Sequence, residues 1–247
     1  MSSPLDDAAR AIALGRCVIA STGAGVSAES GIPTFRGEDG IWKKYPPEKF
    51  APIQAFLKDP AAVWAFWMEL GRELSACKPN SAHFALASLE SHGHLAAVIT
   101  QNVDNLHQDA GSKRVVEYHG NGRRLVCTAC RATEVLDLGN PPKSPQFCYC
   151  GAVMKPDVVM FGEIIPEGPM REAAALAEKC DVLIIVGTSA QVFPAAELPF
   201  IAKRHGAYII ESNTEETDFT GQITDAFLKG PAGETLPALA KRVLELG

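Results

Sequence analysis

Four cysteines stand out for their spacing: Cys127 and Cys130 form C-x2-C, seventeen residues intervene, and Cys148 and Cys150 form C-x-C. Two close pairs of thiolates can surround one cation tetrahedrally, and four of them leave no position open for water. The chemistry expected is therefore a structural zinc, not a catalytic one. A second candidate is the run GAGVSAESGIPTFRG at Gly23–Gly37, where Gly23, Gly25 and Ala28 satisfy G-x-G-x-x-G/A directly after an apolar stretch. Glycines at a strand end leave backbone N–H groups open to a phosphate, as dinucleotide sites require. A plain turn could use the same glycines. An ordinary hydride-transfer unit would enter a helix here and supply an acid about 20 residues on. This chain offers Pro33, Thr34, Phe35 and Arg36 instead, followed by Lys43 and Lys44. A third candidate is His119, between a strand-like run and Gly120. An imidazole near its usual pKa of about 6.5 can take a proton at neutral pH, which predicts activity declining below that value. A strand-end histidine can equally do no more than satisfy a hydrogen bond. Of the others, His83, His92, His94 and His205 read as surface residues and His107 as structural.

These groups need elements to position them. Ser3-Pro4 followed by Asp6 and Asp7 predicts a capped helix ending at Gly15, and Asp59-Pro60 predicts another, with Val63, Trp64, Trp67, Met68 and Gly71 on one face. Apolar runs at 17–21, 95–100, 115–118, 181–186 and 207–210 read as strands, with helical stretches between them. Strands alternating with helices imply a doubly wound, Rossmann-like α/β fold whose parallel sheet is covered on both faces. Its ligand site lies beyond the carboxyl ends of the strands. Gly23, Gln101, His119, Gly187 and Asn213 all fall at or near such ends, which suggests one shared site. Residues 123–156 break the rhythm with cysteines, prolines and polar turns, and read as a small zinc-held insert. The expected division is a nucleotide-binding domain of residues 1–36, 81–122 and 157–247, a helical module of 37–80, and the insert.

The 247 residues are 47% hydrophobic and 21% charged, as in ordinary globular proteins. A net charge of −6 argues against a nucleic-acid partner. No apolar run approaches the length of a membrane span, and no basic, apolar leader opens the chain. Paired cysteines of this kind suit metal binding in a reducing compartment, so the expectation is a cytoplasmic protein with no membrane partner.

GAGVSAESGIPTFRG resembles the sirtuin signature, and further segments agree with it in order: QNVDNLH at Gln101–His107, YHG at Tyr118–Gly120, the four cysteines, and GTS at Gly187–Ser189. The match spans nearly the whole chain. The C-x-C pair is one residue tighter than the family's usual second C-x2-C. The resemblance implies NAD as co-substrate and His119 as catalytic base, with Asn102 orienting a ribose or a water. It places the dinucleotide against Gly23, Ala24, Gly25, Ser27, Gln101 and Asp104, under a loop carrying Phe35 and Arg36. Asp104 with a backbone N–H would read the nicotinamide carboxamide, although an Asx-turn would use the same side chain. Gly187, Thr188, Ser189, Asn213 and Ala232 resemble adenosine-side contacts, and Glu211 ends its strand as a ribose-binding acid would.

The implied reaction is removal of an acyl group from a protein lysine, releasing nicotinamide and O-acyl-ADP-ribose. The acyl-lysine would lie along Val159, Phe161, Gly162 and Glu163, with Val192 nearby. Desuccinylating relatives carry Tyr-x-x-Arg on a helix whose counterpart here presents Trp67 and Leu70, so succinyl-lysine should be a poor substrate. Arg72 is the nearest cation on that helix. Two other functions fit the same motifs: a protein ADP-ribosyltransferase, and a non-enzymatic NAD sensor.

Overall fold

The computed structural model describes residues 3–32 and 46–246. Along the chain run α1 (Pro4–Leu14), β1 (Val18–Thr22), a 3-10 segment (Ala24–Ser30), the short helices α2 (Pro47–Phe50) and α3 (Ile53–Lys58), then α4 (Pro60–Ser75) and α5 (Ser81–Ser91). Next come β2 (Ala97–Thr100), the one-turn α6 (Leu106–Asp109), β3 (Val115–Glu117), β4 (Gly120–Cys127), β5 (Thr133–Val135) and β6 (Met154–Val158). The chain closes with α7 (Glu167–Lys179), β7 (Val182–Val186), α8 (Leu198–Arg204), β8 (Tyr208–Asn213), β9 (Ala226–Lys229) and α9 (Ala232–Leu244).

The expected caps form. The Ser3 hydroxyl accepts from the Asp6 N–H at 3.1 Å, and the Asp59 carboxylate accepts from the Ala62 N–H at 3.1 Å. Six strands in the order β3-β2-β1-β7-β8-β9 make a parallel sheet. Successive side chains point to opposite faces, and the cores divide accordingly. Val18, Ala20, Val98, Ile184 and Ile210 pack under α1, α5 and α9. Ile19, Ile99, Leu183, Ile185 and Ile209 pack under α7 and α8. Chain order reverses between β1 and β7, so the loops after these strands diverge and open a crevice at the carboxyl edge.

The cysteine-bearing segment differs from its expected outline. An antiparallel sheet, β5-β4-β6, starts at Gly120 and ends at Val158, beyond both limits of 123–156. It also has an apolar core: Leu125, Leu136, Leu138 and Met154 join Phe56, Trp64 and Met68 of the helical stretch in one buried cluster. Trp64 donates its indole N–H to Pro142 C=O at 2.8 Å. Each such apolar side chain contributes about 1.5–3 kcal/mol when buried, so metal is not all that holds this segment.

Candidate active site

A cleft of about 1000 Å³ opens where the strand ends converge. Its first wall is the turn after β1. The Gly25 N–H donates to Gly187 C=O at 2.8 Å, and a Cβ on Gly25 would lie 2.6 Å from the Gly187 Cα. Gly187 itself has φ +57° and a virtual Cβ 2.5 Å from the Val26 nitrogen. These glycines therefore let two loops touch backbone to backbone at the crevice, as well as keeping it open to a ligand. Gly31, in the left-handed region, ends the 3-10 segment.

His119 follows β3 and is followed by Gly120, whose φ of +87° and contact with Asp157 C=O exclude a side chain. The His119 Nδ1 lies 3.1 Å from Gln101 C=O. A carbonyl can only accept, so Nδ1 carries the hydrogen and Nε2 is the basic atom. Burial pushes the imidazole below its usual pKa, against the smaller opposing effect of the Gln101 bond. The acid limb expected from an ordinary imidazole therefore moves to lower pH.

Behind this wall lies a buried polar cluster. Asn102 donates its amide hydrogens to Gly23 C=O at 3.2 Å and Ser27 Oγ at 3.1 Å. Ser27 Oγ donates to Asp104 Oδ2 at 2.7 Å. Asp104 Oδ1 accepts the Leu106 N–H at 2.9 Å, so the Asx-turn is formed. Ser27 is fully buried and Asp104 nearly so; neither lines the cleft. His83 is also fully buried, which corrects its reading as a surface residue. It sits among Ala82, Ala85 and Leu86 on the inward arc of α5, where its Nδ1 accepts from the Asn80 N–H and its Nε2–H reaches Ser27 Oγ. His107, 1% exposed, is structural as expected: its Nε2 lies 2.9 Å from Thr22 Oγ1, and its ring meets that of His83 edge-on at 4.8 Å. His92 and His205 are exposed and His94 is half-buried.

Gly23, Ala24, Gly25, Gln101, Asn102 and His119 line the cleft, as do Gly187, Thr188, Ser189, Asn213 and Ala232 on the side of β7, β8 and α9. Asn213 donates to Thr188 C=O at 3.0 Å. Glu211 does not reach the cleft; its buried carboxylate accepts from the hydroxyls of Thr217, Thr220 and Thr224 at 2.5–2.8 Å. Phe35 and Arg36 lie outside the described residues.

Val159, Phe161, Gly162, Glu163, Val192 and Trp67 form the opposite wall. Leu70 instead lines a small cavity of about 20 Å³ that shares Trp67, Val103 and Val158 with the cleft. Arg72 is exposed. Glu29, Phe193, Glu215, Glu216 and Asp218 also line the cleft, and no lysine or arginine does among the described residues. Glu29 was legible within GAGVSAES; the acids at 215–218 become site residues only through the packing of the loop that Glu211 anchors.

At the far end of the small sheet, the sulfurs of Cys127, Cys130, Cys148 and Cys150 lie within 4.8 Å of one another. Sulfurs bound at about 2.3 Å to a tetrahedral zinc would be about 3.8 Å apart. Cys127–Cys150 at 3.5 Å and Cys130–Cys148 at 3.6 Å fit that spacing. The tight C-x-C is accommodated by a turn in which the Gly151 N–H donates to Cys148 C=O. The Cys130 and Ala129 N–H groups donate to Cys127 Sγ, and the first of these is the main reason its thiol is drawn down to about 6.

Fold and site together define a dinucleotide-binding α/β protein with a thiolate metal module. Residues 23–194 match the Sir2 family model, and the chain belongs to that family. It is similar to the NAD-dependent protein deacylase of Thermococcus kodakarensis, 47% identical over 98% of this chain and 96% of that one. It also resembles the crystal structure of a Sir2 homologue–NAD complex, with TM-score 0.91 and 44% identity over 98% of this chain and 94% of the other. A Sir2 protein bound to a myristoylated histone peptide matches with TM-score 0.79 and 39% identity over 98% of this chain and 97% of the other. Among the described residues no helix is long and apolar enough to cross a membrane.

Proposed function

We propose that this protein is an NAD-dependent protein-lysine deacylase that releases nicotinamide and an O-acyl-ADP-ribose. The observation that carries the reading is His119, held by Gln101 C=O in the tautomer whose Nε2 is basic, in a cleft walled on one side by the Gly23–Gly25 and Gly187–Ser189 turns. Family membership and relatives of that activity support it. NAD, when bound, supplies a ribose carbon that the acyl oxygen captures as nicotinamide leaves.

The chain's residues provide the rest. His119 takes the ribose hydroxyl proton at Nε2, and the fixed bond at Nδ1 spares it a tautomer change. Asn102, with both amide hydrogens committed inside the protein, is pre-oriented for a ribose or a water. The apolar faces of Trp67, Val159, Phe161 and Val192 suit an acyl-lysine stem and keep water from it. A wall carrying acids and no described cation favours uncharged acyl groups. The four cysteines would hold zinc in a purely structural role.

The test is incubation with an acetyl-lysine peptide and NAD. Equal amounts of nicotinamide, deacetylated peptide and O-acetyl-ADP-ribose are expected. Transfer of ADP-ribose to protein without deacetylation would point to the transferase alternative, and no nicotinamide release to the sensor.

A further inference from the structure

The cleft wall at residues 158–163 is fastened from behind by a buried ion pair that no sequence motif announces. Lys155 lies in β6 opposite Val126 of β4, and its side chain is only 2% exposed. Its Nζ meets three acceptors: Pro156 C=O at 3.2 Å, Val158 C=O at 2.6 Å and Glu163 Oε2 at 2.9 Å. The three ammonium hydrogens are thus all engaged, as a buried charge requires. The same Glu163 Oε2 accepts the Met160 N–H at 2.9 Å, and the Glu163 N–H donates to Met160 C=O at 3.0 Å. One ammonium therefore joins the start and the end of a six-residue loop, and all six residues line the cleft.

Two other ties fix where that loop sits. The Val159 N–H donates to the carbonyl of His119 at 2.9 Å, so the wall is referenced to the backbone of the base. Phe161 donates to Ala51 C=O at 2.9 Å and accepts from the Ile53 N–H at 3.0 Å. Among the described residues the ion pair makes no bond to the Gly23, Gly187 or Asn213 loops. Its described acceptors and donors all lie within 155–163.

We infer that Lys155 and Glu163 act as a positioning pair for the peptide wall, holding residues 158–163 in the shape that receives the acyl-lysine substrate. The inference rests on the deacylase reading. It separates the two substrates, because removing the pair should loosen the peptide site and leave the dinucleotide site intact.

Steady-state kinetics on Lys155→Met, Glu163→Gln and the double variant, varying acetyl-lysine peptide and NAD in turn, tests it. Lys155→Met should raise the peptide KM about tenfold, a loss of about 1.4 kcal/mol in binding, with the NAD KM within about twofold. Glu163→Gln keeps an acceptor for the Met160 N–H and should give a smaller rise of the same pattern. The double variant should be no worse than Lys155→Met, since the second change removes a contact already lost. An unchanged peptide KM in folded Lys155→Met, an NAD KM rising in parallel, or multiplying effects in the double variant would overturn the inference. If Lys155→Met does not fold, the near-isosteric Glu163→Gln is judged by the same two KM values. Wild-type protein inactive on acyl peptides would overturn the deacylase reading and this inference with it; an active wild type beside an indifferent variant overturns the inference alone.

Discussion

Replacing His107 by glutamine should flatten the acid side of the stability profile by one proton. His107 is 1% exposed; the Thr22 hydroxyl donates to Thr100 Oγ1, so the ring's Nε2–H donates to Thr22. Its buried Nδ1 has no protein partner among the described residues. Burial first, and then the neighbouring His83, push its pKa down to about 3. An unfolded histidine titrates near 6.5, so between these values the unfolded chain binds a proton that the folded protein refuses. The associated stability is complete above about pH 6.5 and is lost as pH falls toward 3. At about 1.4 kcal/mol per pH unit per proton, the loss from His107 between pH 6.5 and 5.0 is about 2 kcal/mol. That is a sizeable part of a typical 5–15 kcal/mol. Urea unfolding of zinc-loaded wild type and His107→Gln at pH 7.5 and 5.0, followed by tryptophan fluorescence, measures it. The stability gap between the two proteins should shift by about 2 kcal/mol in favour of the variant on acidification. Weakening of thiolate–metal bonds by acid acts on both proteins and drops out of the difference. A gap independent of pH would refute the reasoning.

His119→Ala should fold normally and lose deacylation by about 10²–10⁴-fold, the usual contribution of a general base; near-normal turnover would remove His119 from the mechanism. Because burial lowers the His119 pKa, the unprotonated base persists below pH 6.5, and a kcat/KM limb with its midpoint at or above 6.5 would contradict the environment described. Elemental analysis should find one zinc per chain; chelation should expose Trp64, which is tied to this module through Pro142, and abolish activity. Fully active metal-free protein would argue against a structural zinc. On matched peptides, acetyl-lysine should exceed succinyl-lysine in kcat/KM by about tenfold or more, since no lysine or arginine among the described residues lines the cleft beside Trp67 and Glu163, and the buried Lys155 is already committed to Glu163; a preference for succinyl would refute this.

Much of this protein is local and was legible in the chain itself. Caps at Ser3 and Asp59, apolar runs that alternate with helices, and the spacing of Cys127, Cys130, Cys148 and Cys150 all act over a few residues, so sequence determines them. Strand ends at Gly23, Gln101, His119 and Gly187 were legible for the same reason, and a parallel sheet carries such ends to one edge. What the tertiary structure decided are relations between segments remote in the chain. Gly25 is needed because Gly187 presses against it from the other side of the crevice. His83 looks like a helix-surface residue until Ser27 arrives above it. Glu211 turns away from the cleft because three threonines of the next loop fold over its carboxylate. The cysteine segment has a core because α4 lends it one. Periodicity reports which face of an element is buried; only packing decides which distant groups complete its hydrogen bonds, and burial then sets the proton affinities of His107 and His119.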